Sequence, residues 1–172
     1  MDKKRIFIVS IAVLWVAVVV GMIWSKEFTL RTGTRVLLET VPVDPRDLLR
    51  GDYVVLNYAI STIDLKDISC SEGEYQPGAV LYVELKQKGK YWEAAYVTCD
   101  PDEAAEGIYI RGRVDHRYGK KLTVKYGIES YFVSEGTGKE IEDKINRGPK
   151  SQVAVDVSIG RNGEAVINRL VF

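Results

Sequence analysis

Residues 6–24 read I-F-I-V-S-I-A-V-L-W-V-A-V-V-V-G-M-I-W, nineteen residues without a charge. As a helix rising ~1.5 Å per residue, this run spans close to the ~30 Å hydrocarbon core of a bilayer. It therefore reads as a single membrane span, with the lipid bilayer as the partner of residues 6–24. Lys3, Lys4 and Arg5 precede it. The positive-inside rule then leaves the N-terminus in the cytoplasm and carries the rest of the chain out of it, at the plasma (inner) membrane. Trp24 falls at the outer interface, with Lys26 just beyond. A cleaved signal peptide is the alternative. The apolar run is longer than an ordinary signal core, and G-M-I-W-S-K-E offers no small-x-small cleavage site. The chain thus divides into a tail and anchor, residues 1–26, and an exported domain, residues 27–172.

About 145 residues remain, enough for one domain with a real core. The chain has 24 basic and 24 acidic residues; removing the N-terminal tail leaves 21 and 23, a net of −2. That balance argues against nucleic acid as a partner, which would need a basic face. Ten tyrosines and many valines favour strands.

The densest local pattern is residues 43–61, V-D-P-R-D-L-L-R-G-D-Y-V-V-L-N-Y-A-I-S. Asp44 is a helix N-cap, Pro45 suits the first helical position, and Asp47 completes a capping box. Gly51 ends the helical turn. From Asp52 the period becomes two: Val54, Leu56, Tyr58 and Ile60 share one face, and Tyr53, Val55, Asn57 and Ala59 the other. Both faces are mostly apolar, which predicts a doubly covered strand. Asp44, Arg46, Asp47, Arg50 and Asp52 form a charged corner at its start. The corner either fixes the strand's register or docks a partner. It holds no histidine, cysteine or serine for catalysis. Arg50-Gly51-Asp52 also spells an adhesion tripeptide, but the turn already explains its glycine and the strand its aspartate.

Gly51–Tyr58, G-D-Y-V-V-L-N-Y, resembles the G-D-Y-x-x-L-x-Y signature of the uncharacterised GDYXXLXY family of bacterial membrane-anchored proteins. The upstream D-P-R-D-L-L-R and the later Y-G-I-E-S-Y-F-V-S-E-G, residues 126–136, are similar to that family too. The resemblance implies one N-terminal membrane segment, an exported domain, and association with a multispanning membrane protein or an envelope component. It supplies no catalytic residues and no cofactor. The candidate binding surface is Asp44, Arg46, Asp47, Arg50, Asp52 and Tyr53, joined by Glu129 and Glu135 from the segment Tyr126–Glu142.

The remaining chain reads as strands and turns. Phe28–Thr34 is a short stem and Arg35–Val43 the first strand. Residues 61–70 form a short helix or an irregular loop. Hairpins are expected at 79–98, 108–126 and 152–172, with turns at Lys88–Lys90, Tyr118–Lys120 and Arg161–Gly163. Gly127 bends the chain before a strand at 129–133, and Lys139–Asn146 reads as a helix. In the last hairpin Val153, Val155, Val157 and Ile159 point inward. Roughly eight or nine short strands make a mainly β domain, a small barrel or a sandwich.

Little else carries chemistry. Cys70 and Cys99 are the two cysteines. They form either a structural disulfide, closing a loop of about 28 residues worth roughly 3–4 kcal/mol, or two free thiols. Without histidines nearby they make no metal site. His116, between Asp115 and Arg117, is a solvated turn residue without a catalytic partner. Ser134-Glu-Gly-Thr-Gly-Lys139 lacks the glycine and the hydroxyl residue that a phosphate-binding loop needs at Val133 and Glu140. A Ser134–Lys139 dyad is the alternative function, because one anchor followed by a β-rich exported domain is similar to the architecture of signal peptidases. That enzyme needs a lysine of depressed pKa, and Lys139 lies in a polar stretch.

Overall fold

The computed structural model describes residues 3–41, 53–104, 107–132 and 153–171. The N-terminal run forms α1, Lys3–Thr32. Its segment Phe7–Thr32 is long and apolar enough to cross a membrane. Phe7, Trp15 and Met22 are each about two-thirds exposed, and apolar side chains stand exposed on every side of the helix. A helix apolar all round has no stripe to pack on its own domain and is suited to lipid. The helix does not stop at a stem beginning at Phe28; it continues to Thr32, because its last turn packs on the domain. Ser158 Oγ donates to the Leu30 carbonyl at 3.3 Å, and Lys26 pairs with Glu164 at 3.5 Å.

Ten strands follow among the described residues: β1 Thr34–Glu39, β2 Tyr53–Val55, β3 Thr62–Asp64, β4 Val80–Lys88, β5 Tyr91–Thr98, β6 Ile108–Tyr118, β7 Lys121–Lys125, β8 Ser130–Phe132, β9 Ala154–Ile159 and β10 Ala165–Val171. They form a five-stranded sheet, β3-β7-β6-β4-β5, a three-stranded sheet, β1-β9-β10, and the pair β2-β8. The pairings within strands are antiparallel. β1 lies beside β5, and at the other seam the Arg111 N–H donates to Gly163 O at 2.8 Å. The Leu56 N–H donates to Glu129 O at 2.8 Å, and Val41 to Asn57 O at 2.9 Å, so β2 and β8 bridge the gap. The result is a nearly closed barrel rather than a sandwich.

Alternation decides what fills it. Val36 and Leu38, Leu81, Val83 and Leu85, Ile110 and Val114, Leu122 and Val124, and Val155, Val157 and Ile159 all turn inward into one continuous core. Side chains fill the interior, as in other small barrels. Gly112 sits where Val124 and Tyr126 leave no room: a Cβ there would collide with the Val124 side chain and stand 2.9 Å from the Tyr126 ring. Cys70 and Cys99 are disulfide-bonded, with Cα atoms 5.6 Å apart. The bridge pins the loop before β4 to the end of β5, beside the Ser69 N–H to Val97 O hydrogen bond of 2.8 Å.

Three further expectations need correction. Among the described residues, the strand expected from Asp52 to Ile60 covers only Tyr53–Val55, pairs with β8 alone, and is not doubly covered. Its inner face is buried through Val54, Leu56, Tyr58 and Ile60, but Ala59 is exposed. The backbone leaves the ladder after Val55 and closes a 3-10 turn at Ala59–Ser61, with Ser61 N–H donating to Tyr58 O at 3.0 Å. Residues 61–70 are neither one helix nor one loop: β3 pairs with β7, and a second 3-10 turn follows at Leu65–Asp67. Finally, β9 is buried on both faces, not only through its valines. The expected helical turn from Asp44 and the helix at Lys139–Asn146 lie outside the described residues.

Candidate functional site

The strand of the signature and the turn after β7 are brought together. Tyr53 pairs with Phe132, Val54 with Tyr131 and Val55 with Ser130. Two buried tyrosines then cross-brace the junction. Tyr58 Oη donates to Ile128 O at 2.6 Å, and Tyr126 Oη donates to Ile60 O at 2.6 Å. Each segment thus holds the other's backbone through a phenol. Burial, and after it the negative charge of Glu129, push both phenols far above the ordinary tyrosine range. They remain neutral donors at any physiological pH.

Glu129 shapes the turn itself. Its carboxylate accepts from the Tyr126 N–H and from the Gly127 N–H at 3.0 Å. Gly127 adopts φ +79°, a left-handed conformation that suits glycine, and this lets the chain fold back onto the carboxylate. A shallow groove of about 390 Å³ runs from Lys26 on α1, past Arg111, Arg113 and Glu164, to Tyr126 and Glu129. Arg111 Nη2 pairs with Glu164 at 3.0 Å within it. The turn facing the signature strand therefore opens toward the base of the apolar helix.

Of the candidate surface, Glu129 and the backbone of Tyr53 fall in this junction. Asp44, Arg46, Asp47, Arg50, Asp52 and Glu135 lie outside the described residues, as do Ser134 and Lys139 of the alternative dyad. The signature's Leu56 and Tyr58 are core residues, 2% and 1% exposed. Among the described residues beyond α1, the exposed aromatics are Phe132, which stands in this junction opposite Tyr53, and Tyr118 at the tip of the β6–β7 hairpin, with Tyr96 at the margin of exposure.

The other chemical candidates resolve as structure. Cys70, Cys99 and Glu74 approach one another closely enough to suggest a metal cluster, but both sulfurs are committed to the disulfide. His116 is exposed on β6, its Nδ1 3.0 Å from Asp115 and its Nε2 3.3 Å from Thr123 Oγ1. Lys125, and after it His116, hydrogen-bond the Asp115 carboxylate and hold it below the usual carboxylate range. This is a cross-strand polar cluster on a solvated face.

Sequence reasoning missed a second concavity. A groove of about 870 Å³ lies between the last turns of α1 and the β9–β10 turn, lined in part by Phe28, Thr29, Tyr109, Gly160 and Arg161. Its one legible signal was Phe28, an aromatic residue just past the end of the apolar run and 59% exposed.

Comparison with curated proteins and with solved structures returned no match. The family model described as GDYXXLXY protein matches residues 15–170, from within the apolar helix to the last strand. Nearly the whole chain is covered, and the chain belongs to the GDYXXLXY family.

Proposed function

We propose that this chain is a membrane-anchored, exported accessory protein of the bacterial envelope, which docks on a multispanning membrane protein. α1 is retained as the anchor with its N-terminus in the cytoplasm. The observation that carries the reading is the exposed apolar helix running unbroken into the barrel, with the signature junction reached from its base by a groove. Residues 25–32 are part of the domain's packing, through Lys26–Glu164 and Ser158–Leu30. Removal of the helix after Trp24 would strand a helical stub already integrated into the fold. Three basic residues before the span support the orientation. The charged corner, Asp44 to Asp52, supplies the docking charges; it directly precedes in sequence the strand that the Tyr58–Tyr126 junction braces.

The test is crosslinking of the full chain in its native membrane, followed by mass spectrometry of what is captured. Recovery of one specific multispanning protein is expected, with capture lost in Arg50→Glu while the melting temperature is unchanged. Capture unaffected by Arg50→Glu would assign the corner a purely structural role. Absence of any specific membrane protein among the products would sink the accessory reading.

A further inference from the structure

The apolar run ends at Trp24, and the first charges beyond it are Lys26 and Glu27. A bilayer's polar layer is roughly 5–7 Å deep on each side. The next helical turn, Ser25–Phe28, rises about 6 Å. With α1 as the anchor, these residues cross the headgroup layer, and the larger groove, lined by Ser25, Phe28 and Thr29, opens at that depth.

Its lining has two features that point to a ligand. Thr29 is 6% exposed, and among the described residues its hydroxyl makes no hydrogen bond. Buried hydroxyls are rarely left without a partner. Gly160 leaves that hydroxyl uncovered, since a Cβ there would stand 3.2 Å from Thr29 Oγ1. The second feature is charge. Lys26 and Arg31 are committed to Glu164 and Glu27. Arg161 is exposed, and among the described residues its guanidinium forms no ion pair. Its backbone is fixed instead: Tyr109 Oη donates to Arg161 O at 2.8 Å, which seats the arginine over the groove wall.

We propose that this groove binds the phosphodiester headgroup of a membrane phospholipid. Arg161 is the counter-charge to the phosphate, Thr29 Oγ1 a donor to it, and Phe28 the apolar contact for the glycerol and upper acyl segment. A guanidinium and a hydroxyl suit phosphate oxygens, and an aromatic residue suits the interface. The site rests on α1 being retained as the anchor.

The full chain, purified from membranes in mild detergent, is titrated with phosphatidylglycerol, phosphatidylcholine and inorganic phosphate, and bound ligand is counted by native mass spectrometry. One phospholipid per chain is expected to persist. Arg161→Glu should weaken its binding about tenfold, and Thr29→Val roughly three- to tenfold. Arg117→Glu, an equal charge change at the far end of β6, should have no effect. Circular dichroism melts keep folding separate from binding. Lipid counts indifferent to Arg161→Glu and Thr29→Val in an intact, folded chain would mean annular lipid only and refute the site. Inorganic phosphate binding as tightly as lipid would make it a free-anion site and refute the lipid assignment. An intact mass lacking the apolar helix would refute the anchor reading, and this site with it.

Discussion

Replacing Tyr58 with phenylalanine tests whether the signature's last residue is a brace or a contact. The hydroxyl is lost, the ring remains, and no cavity opens. What changes is the 2.6 Å hydrogen bond to Ile128 O, in a side chain 1% exposed. Water has no ready route to the carbonyl left behind. An unsatisfied buried acceptor costs about 1–3 kcal/mol. For a domain of this size that is a fall of roughly 3–9 °C in melting temperature. Tyr126→Phe removes the reciprocal bond to Ile60 O, also 2.6 Å, and should cost about as much. Because both bonds close the same junction, the double variant should deviate from additivity by about 0.5 kcal/mol or more. The assay is thermal unfolding of the full chain in detergent, followed by tyrosine near-ultraviolet circular dichroism. Tyr58→Phe melting with the native chain while losing its crosslinked partner would refute the brace and make the phenol a binding group.

The same two phenols predict alkaline behaviour. Their folded pKa values are raised above the unfolded value, so their stabilisation is complete below about pH 10 and is lost as pH rises beyond it, by about 2.7 kcal/mol per pH unit for the pair. Spectrophotometric titration should therefore find two of the ten tyrosines silent until the barrel unfolds; all ten titrating in a folded barrel would contradict the burial argument. Reduction of Cys70–Cys99, whose positions are 29 residues apart, should cost about 3–4 kcal/mol, read as a lower denaturant midpoint in reductant. Gly112→Ala should cost about 1–3 kcal/mol by overpacking against Val124 and Tyr126; an unchanged midpoint there would show that the β6–β7 seam can relax.

Local chemistry made the hairpins legible. Alternation across Val80–Lys88 fixes that strand and its inward face through Leu81, Val83 and Leu85, and the turn after it returns the chain as Tyr91–Thr98, whose own burial does not alternate. The apolar run announced its helix for the same reason. What alternation does not reveal is a neighbour's identity. Asp156 and Ser158 occupy the polar positions of β9 and read as solvent-facing, yet they are 9% and 0% exposed. Asn168 explains why, donating through Nδ2 to Asp156 Oδ1 at 3.0 Å and to Ser158 Oγ at 2.9 Å. Ser158 in turn reaches Leu30, 128 residues earlier. The Tyr58 and Tyr126 braces span 70 and 66 residues, and nothing local distinguishes them from other core aromatics. The length of the signature strand was overestimated because its inner face stays apolar through the 3-10 turn, so the pattern continues where the ladder stops.

Three features of the helix–barrel junction bear on how the apolar helix is joined to the domain. The Gly33 N–H donates to Thr29 O at 2.9 Å, and a Cβ at Gly33 would stand 2.5 Å from that oxygen and 2.9 Å from Ile159 O. The chain thus passes from helix to strand in a single residue, at a place where only glycine fits. Ser158 ties the helix end to β9, and Lys26 ties it to the β9–β10 turn through Glu164. A domain on a loose tether needs none of these contacts, whereas a domain held at one angle to its helix needs several. β9 is the middle strand of its sheet and is buried along its whole length. A torque on α1 is therefore delivered to the least deformable strand of the barrel rather than dissipated in a linker. It follows that the two grooves at the helix base keep a fixed height and heading relative to the apolar span. The helix base, the two grooves and the strands braced by Tyr58 and Tyr126 therefore behave as one rigid body.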